Sequence, residues 1–259
     1  MPLSIDHIVI AVADLDAAVR DYTALGFTVL PGGEHPRGSR NALVVFEDGA
    51  YLEIIAFPRP VPDFRWWQVL DRAGPGLVDF AVLPDDLDAD LARARAAGIV
   101  MEGPIDGGRL QPDGTRIAWR SARPPGPDIP FLVADVTPRE LRVPTGAARR
   151  HANGVTGVAC VSVVVEDFSV SVARYRTLFG KEPFATGSRS SRRAESALFS
   201  TGSQTLGLSK ASGSDNAELA EHLANRGQGV SSVAFQGRNF VTLDHRLSHG
   251  ARLSIARDI

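Results

Sequence analysis

The first 26 residues change hydrophobic period in a way that predicts a strand followed by a helix. Ile5 to Val12 is a run of apolar and β-branched residues, which is typical of a strand. Asp14 is a favourable helix N-cap, and Gly26 suits the left-handed residue that ends many helices. Between them, apolar residues recur at the three- and four-residue spacing of one helix face, at Leu15, Ala18, Val19, Tyr22 and Leu25.

The same strand–helix–glycine pattern recurs three more times. Its strands are predicted at Leu77–Leu83, Val158–Val165 and Val230–Phe235. The fourth copy is the weakest, and its helix rests on Phe240, Leu243 and Leu247 before Gly250. The first copy continues with further strand-like runs at Phe27–Leu30, Asn41–Phe46 and Tyr51–Phe57. The repeating unit is therefore a β-α-β-β-β module.

Four copies of one module predict an α+β protein of two domains, each made of a pair of tandem modules. We place the first domain at residues 1–137, a Pro- and Gly-containing linker at 138–153 and the second domain at 154–259. The chain after Val230 is long enough only for a strand, a helix and one more strand, so the last module is truncated. Because an open sheet edge is usually covered, we expect either a homodimer or a terminal strand across the gap.

Composition narrows the class of protein. The 259 residues are 44% hydrophobic and 22% charged, with a net charge of −2 and one cysteine. This chain has no cationic surplus for nucleic acid, no disulfide framework, no apolar run long enough for a membrane and no visible signal peptide. We expect a cytoplasmic protein with a small-molecule ligand. No dinucleotide or phosphate-binding glycine motif is present, so no nucleotide cofactor is expected.

Several motifs resemble the vicinal oxygen chelate superfamily, and more narrowly its glyoxalase-like domain branch. They are DHIVIAV from Asp6, the segment His35–Leu43, YLEIIAF from Tyr51, and the segment Arg109–Gly114 with Trp119. The resemblance implies the fold of glyoxalase, bleomycin-resistance proteins and extradiol dioxygenases. In that fold, paired modules form cup-shaped mixed sheets that hold a small molecule.

Strand alternation places His7 and Glu53 on the same concave face of the first module. A carboxylate buried there needs a metal, a cation or a proton to neutralise it. The resemblance implies that His7 and Glu53 are metal ligands, and this pair suits Zn²⁺, Mn²⁺, Fe²⁺ or Ni²⁺. The surrounding wall, which we predict to contact substrate, consists of Val9, Tyr51, Ile55 and Phe57.

The second module supplies the remaining candidate ligands. Asp79 holds the position that matches His7. The position that matches Glu53 falls near Val133, which cannot bind a metal, and Asp135 lies two residues further on the same strand face. If these aspartates do not join the site, His7 and Glu53 are expected to hydrogen-bond each other in a metal-free pocket.

Three other polar residues are candidates for substrate binding. Asn41 either points inward, where its amide would orient a carbonyl group, or is a turn residue. His35 and Arg109 either line the mouth of the cup or are solvated surface residues; Arg109 would there hold an anionic group.

We favour a metal-dependent lyase or isomerase for a small, mainly apolar, oxygen-bearing metabolite, with Glu53 also able to act as a base on an enolate or oxyanion. The alternative is a metal-free protein that binds and sequesters such a compound. An extradiol dioxygenase is less favoured, because two histidines and one carboxylate do not fall on facing strands. In the second domain Cys160 takes the place of His7, so one working site is expected.

Overall fold

The computed structural model describes residues 3–189, 194–211 and 217–257, which form two curved sheets with helices packed on them. The first half of the chain contains β1 (Ser4–Val12), α1 (Leu15–Ala24), β2 (Leu30–Glu34), β3 (Arg40–Val45), β4 (Tyr51–Ala56), α2 (Arg65–Ala73), β5 (Gly76–Leu83), α3 (Leu87–Ala96), β6 (Glu102–Leu110), β7 (Arg116–Arg123), β8 (Phe131–Asp135) and α4 (Arg139–Arg142). After a 3₁₀ turn at Gly146–Arg149, the second half contains β9 (Gly157–Val164), α5 (Phe168–Phe179), β10 (Ala185–Arg189), β11 (Ala194–Thr201), β12 (Gln204–Ala211), α6 (Ala217–Arg226), β13 (Gly229–Gly237), β14 (Val241–Thr242) and β15 (Leu253–Arg257).

The strands β1 to β8 close into a barrel in the order β1-β4-β3-β2-β6-β7-β8-β5. In each module the first strand pairs in parallel with the last, and the two modules meet through the antiparallel pair β1–β5. The other junction is a single residue pair, Glu34 with Leu110. Gly33 permits it, since its φ is +155° and a Cβ there would stand 2.0 Å from the Leu110 carbonyl oxygen. The predicted α+β fold of paired modules is confirmed.

The first three modular helices begin and end as their sequence patterns predict. Asp14 accepts a hydrogen bond from the Ala17 backbone N–H at 2.9 Å, and Asp86 and Asp167 cap α3 and α5 in the same way. The second strand of the first module is different. It lies at Leu30–Glu34, not at Phe27–Leu30, because the Pro-Gly-Gly segment at residues 31–33 is part of the strand that reaches β6.

The second sheet is open, with the order β10-β11-β12-β9-β13-β15-β14. The fourth module is shorter than the others, as predicted, but two details of its structure differ from the prediction. The segment after Phe240 forms β14 and then turns in place of a helix, since Leu243 is buried while Phe240 is 74% exposed, so the two share no helical face. The module keeps its last strand, because β15 pairs in parallel with β13 as β4 does with β1. The homodimer stays a prediction.

The predicted linker folds against the end of the barrel through α4. Arg142 donates hydrogen bonds to Asp6 at 2.7 and 3.1 Å, and Arg139 donates to the same carboxylate at 2.7 Å. Both arginines also bind Asp135 at the end of β8. Asp6 is fully buried, and although burial alone raises its pKa, Arg142 and His7 hold that pKa well below its usual range. These ion pairs hold the linker against the barrel.

One hydrophobic core joins the two sheets. Phe235 of β13 packs against Phe27 and Phe46 of the first module, with ring centroids 5.7 and 5.2 Å apart. The Tyr175 hydroxyl of α5 donates to the Asp128 carbonyl oxygen at 2.8 Å. Side chains from both sides of the predicted domain limits at 137 and 153 belong to this core. The limits themselves stay a prediction. Within the described ranges, no helix has the length and apolar character needed to span a membrane.

We predict that Asp6→Asn destabilises the protein by about 3–5 kcal/mol, because it leaves Arg142 buried with one of its two carboxylate partners lost. The free energy of unfolding, measured in urea, checks this. The control is Asp88→Asn, which breaks an exposed pair with Arg120 and should leave the free energy of unfolding nearly unchanged. Equal free energies of unfolding for Asp6→Asn and wild type would contradict the proposed contribution of the ion pairs of Asp6 to stability.

Candidate functional site

A β-bulge in the first strand brings two neighbouring side chains into contact. The pairing of β1 with β5 skips a residue between Ile5 and His7, at Asp6. His7 Nδ1 therefore donates to Asp6 at 2.6 Å. The imidazole stacks on Tyr51 at 4.6 Å and meets the edge of Phe131 at 5.3 Å. These contacts fix the ring with Nε2 on the side of Glu53.

Glu53 is the centre of the candidate site, and three side chains converge on its carboxylate. His7 Nε2 lies 3.6 Å from Oε2, and His35 Nε2 lies 3.7 Å from Oε1. The Asn41 amide donates to Oε1 at 2.7 Å. Glu53 is 6% exposed, so its charge is held inside the barrel by two imidazoles and one amide. The expected direct His7–Glu53 hydrogen bond is absent at this distance.

Electrostatics favour the ionised form of Glu53. Burial alone raises its pKa, but His35, His7, the Asn41 amide and Arg109 outweigh burial and lower the pKa below its usual value. Burial lowers the pKa of His35, with Glu53 opposing that change. The site therefore pairs a buried carboxylate with an imidazole that favours its neutral form.

Asn41 and Arg109 both lie inside the barrel, as the inward interpretation predicts. Each is 5% exposed. The guanidinium of Arg109 donates to the Gly32 carbonyl oxygen. Gly32 also gives Asn41 its space, because a Cβ on residue 32 would stand 2.0 Å from Asn41 Oδ1.

The two aspartates predicted as further metal ligands are instead bound to arginines. Asp79 accepts hydrogen bonds from Arg65 and from the Trp66 indole, the latter at 2.8 Å. Asp135 binds Arg139 and Arg142. The physical reason is that α2 and α4, neither of which was predicted as a helix, bring arginines to the buried carboxylates. Neither aspartate shares the site of Glu53.

The side chains present do not make the four-ligand metal set that the resemblance implies. His7 and Glu53 retain their predicted positions, and His35 adds a second imidazole near the carboxylate. Within the described residues, however, no three His, Cys, Asp or Glu side chains are grouped so that they could hold an ion. With Asp79 and Asp135 bound to arginines, the chain does not fit a complete site of that kind.

The predicted apolar wall is present and is covered by α2. Val9 and Ile55 are buried in one cluster with Trp66, which projects from α2. Phe57 lies at the more open end, 5.8 Å from Phe64. Tyr51 sits at the opposite end, where its hydroxyl accepts from Arg142 at 2.9 Å.

Sequence reasoning missed four residues that shape the site: Asp6, Arg65, Arg123 and Arg142. Strict alternation assigns Asp6 to the face opposite His7, and only the bulge brings them together. No sequence pattern singled out the three arginines. A usable signal existed for α2, since Trp66, Val69 and Leu70 have helical spacing after the Pro-rich segment.

Comparison with known proteins assigns the family. Residues 5–179 match the family model described as a glyoxalase-like domain. The chain belongs to this family. The match to the glyoxalase-like domain runs from β1 to the last residue of α5 and so includes part of the second sheet. No curated protein matches the chain.

Solved structures share the fold at low sequence identity. A hypothetical protein from Staphylococcus aureus is 14% identical, with 98% of this chain and 99% of that chain covered and a TM-score of 0.73. A mutant of 4-hydroxymandelate synthase from Streptomyces coelicolor is 16% identical, with 95% and 78% covered and a TM-score of 0.63. A xylose isomerase-like TIM barrel/4-hydroxyphenylpyruvate dioxygenase fusion protein is 19% identical over 92% of this chain and 37% of that chain, with a TM-score of 0.56.

We predict that in Glu53→Gln the free energy of unfolding decreases less between pH 7 and pH 3 than it does in wild type. The folded pKa of Glu53 lies below 4.5, so its ionised form stabilises the fold above about pH 4.5, and this contribution is lost as pH falls through the folded pKa. Urea unfolding from pH 7 to pH 3 measures the change. The exposed Glu140→Gln variant should follow wild type, and parallel curves for Glu53→Gln and wild type would refute the prediction.

Proposed function

We propose that this glyoxalase-like protein is a lyase- or isomerase-type enzyme for a small, mainly apolar metabolite that carries a carbonyl group. The observation that carries the proposal is the 6% exposed Glu53 carboxylate, which accepts from the Asn41 amide, has two imidazoles within 3.7 Å and, among the residues that the structure describes, receives no hydrogen bond from an arginine. Such a carboxylate is suited to accept a proton from the carbon next to a carbonyl group.

The proton transfer uses groups of this chain. Glu53 takes the proton from carbon, the electron pair moves into the carbonyl group, and an enolate forms. His35 lies beside Glu53 with its Nδ1 within hydrogen-bond distance of the Ser39 hydroxyl, so its Nε2–H can donate to the enolate oxygen. Where the carbon that loses the proton carries a hydroxyl group, the hydroxyl proton moves to the former carbonyl oxygen, and return of the proton from Glu53 to the former carbonyl carbon completes an isomerisation of the hydroxy ketone.

The apolar wall supports an apolar substrate. Val9 and Ile55 exclude water from the region beside Glu53, and Phe57 with Phe64 forms an aromatic border at the more open end. The predicted divalent metal is a separate question that elemental analysis of protein purified without chelator answers. One equivalent that is lost in Glu53→Ala would support metal binding at His7 and Glu53. The cytoplasmic location likewise stays a prediction.

The second candidate function is metal-free binding and sequestration. The observation that favours it is the apolar surface beneath the aromatic border, where Trp66 and Phe131 pack in one cluster with Val9 and Ile55. A protein that only binds its ligand needs this apolar surface and no proton acceptor.

Hydrogen–deuterium exchange distinguishes the two functions. We expect wild-type protein in D₂O to exchange the C–H next to the carbonyl group in at least one of a panel of phenyl- and branched-alkyl 2-oxo acids, esters and ketones, followed by NMR. Glu53→Gln should lower that rate by about 10²–10⁴-fold, the usual contribution of a general base. Glu140→Gln serves as the control with unchanged exchange. Tight binding without any exchange would instead establish sequestration.

A further inference from the structure

Arg123 is the one arginine in the described interior of the barrel that is held by aromatic rings alone. It is the last residue of β7, and its side chain is half-buried. Its Cζ atom lies 4.7 Å from the ring centroid of Phe131, 5.1 Å from that of Trp66 and 6.0 Å from that of Phe64. No hydrogen bond or ion pair of this guanidinium is found in the part of the chain that the structure describes.

The other interior arginines all have oxygen partners. Arg65 binds Asp79, Arg142 binds Asp6, and Arg109 binds the carbonyl oxygen of Gly32. A guanidinium withdrawn from water without an anionic partner is unfavourable. A bound anion would thus supply the partner that the Arg123 guanidinium lacks.

Near Arg123, positively charged side chains outnumber negatively charged ones. The carboxylates that act electrostatically on Arg123 are Asp79, already paired with Arg65, and Glu53. Arg37 adds a further guanidinium, 5.7 Å from the Phe64 ring. Three guanidinium groups, those of Arg123, Arg65 and Arg37, therefore interact here with two carboxylates, those of Asp79 and Glu53.

The chemistry of the position fits a carboxylate attached to an apolar body. A guanidinium stacked on aromatic faces keeps its in-plane N–H groups for a ligand, and their fork matches the two oxygens of a carboxylate. The rings around it offer an apolar surface to the rest of that molecule. Phe131 links Arg123 to the site of Glu53, since its ring lies 4.7 Å from the Arg123 Cζ atom and 5.3 Å from the His7 ring, whose Nε2 is 3.6 Å from the Glu53 carboxylate.

We propose that Arg123 binds the carboxylate of the substrate, and that the substrates of the site are therefore apolar, preferably aromatic, carboxylic acids. This inference rests on the proposed small-molecule site around Glu53. It also fixes the orientation of the substrate in that site: the carboxylate lies at the aromatic border and the reacting carbon points toward Glu53.

Matched pairs of probes test the inference by isothermal titration calorimetry. The pairs are benzoate and benzamide, phenylacetate and phenylacetamide, and 3-phenylpropionate and its amide, with phenylphosphonate as a different anion. We expect wild type to bind at least one acid tenfold or more tightly than its amide. Arg123→Gln should remove that preference and leave amide binding within twofold, and Arg123→Lys should keep part of it. Arg116→Gln, an exposed change on the same strand, is the control and should match wild type.

Each other outcome has a defined meaning. Equal binding of acids and amides, binding of amides alone, or a response to phenylphosphonate alone overturns the carboxylate assignment and leaves the proposed small-molecule site standing. Equal weakening of acids and amides in both Arg123→Gln and Arg123→Lys shows a packing role and also overturns it. If wild type binds none of the probes but performs the carbon–hydrogen exchange on neutral ketones or esters, the inference alone fails. If both measurements are negative, the proposed function fails with it.

Discussion

The burial of negative charge is the constraint on which the barrel depends. Asp6, Glu53 and Asp79 all lie inside it, and an unpaired carboxylate there would cost several kcal/mol. Two of them are neutralised by arginines from helices that pack on the barrel, Arg142 from α4 and Arg65 from α2. Ion pairs as well as apolar contacts thus hold α2 and α4 in position on the barrel. Glu53 is compensated differently, by imidazoles and an amide.

This difference separates structural from chemically available carboxylates. A carboxylate bound by a guanidinium fork is held in its ionised form and has little freedom to exchange a proton or a ligand. Asp6 is of this kind, yet it contributes to the site, because it fixes the His7 ring from the Nδ1 side. The Nε2 atoms of its two histidines lie 3.6 and 3.7 Å from the Glu53 oxygens, beyond hydrogen-bond distance, so Glu53 can accept a proton without breaking a hydrogen bond to either ring.

The fold was more predictable than the site, for reasons visible in particular residues. The caps Asp14, Asp86 and Asp167 and the strand alternation around His7 and Glu53 depend on neighbours in sequence, which a pattern records. The partners of Asp79 and Asp135 depend on where α2 and α4 dock, which follows from long-range packing. The bulge at Asp6 breaks the alternation from which its direction was read. In the fourth module, apolar spacing suggested a helix where tertiary contacts bury Leu243 alone.

The core shared by the two sheets has a consequence for how the molecule folds. Phe27 and Phe46 near the start of the chain are covered by Phe235 near its end. Part of the apolar surface of each half is therefore buried only against the other half. Separating the halves at the linker would expose Phe235 and its partners to water. The half with no predicted site therefore also covers apolar side chains of the half that contains Glu53.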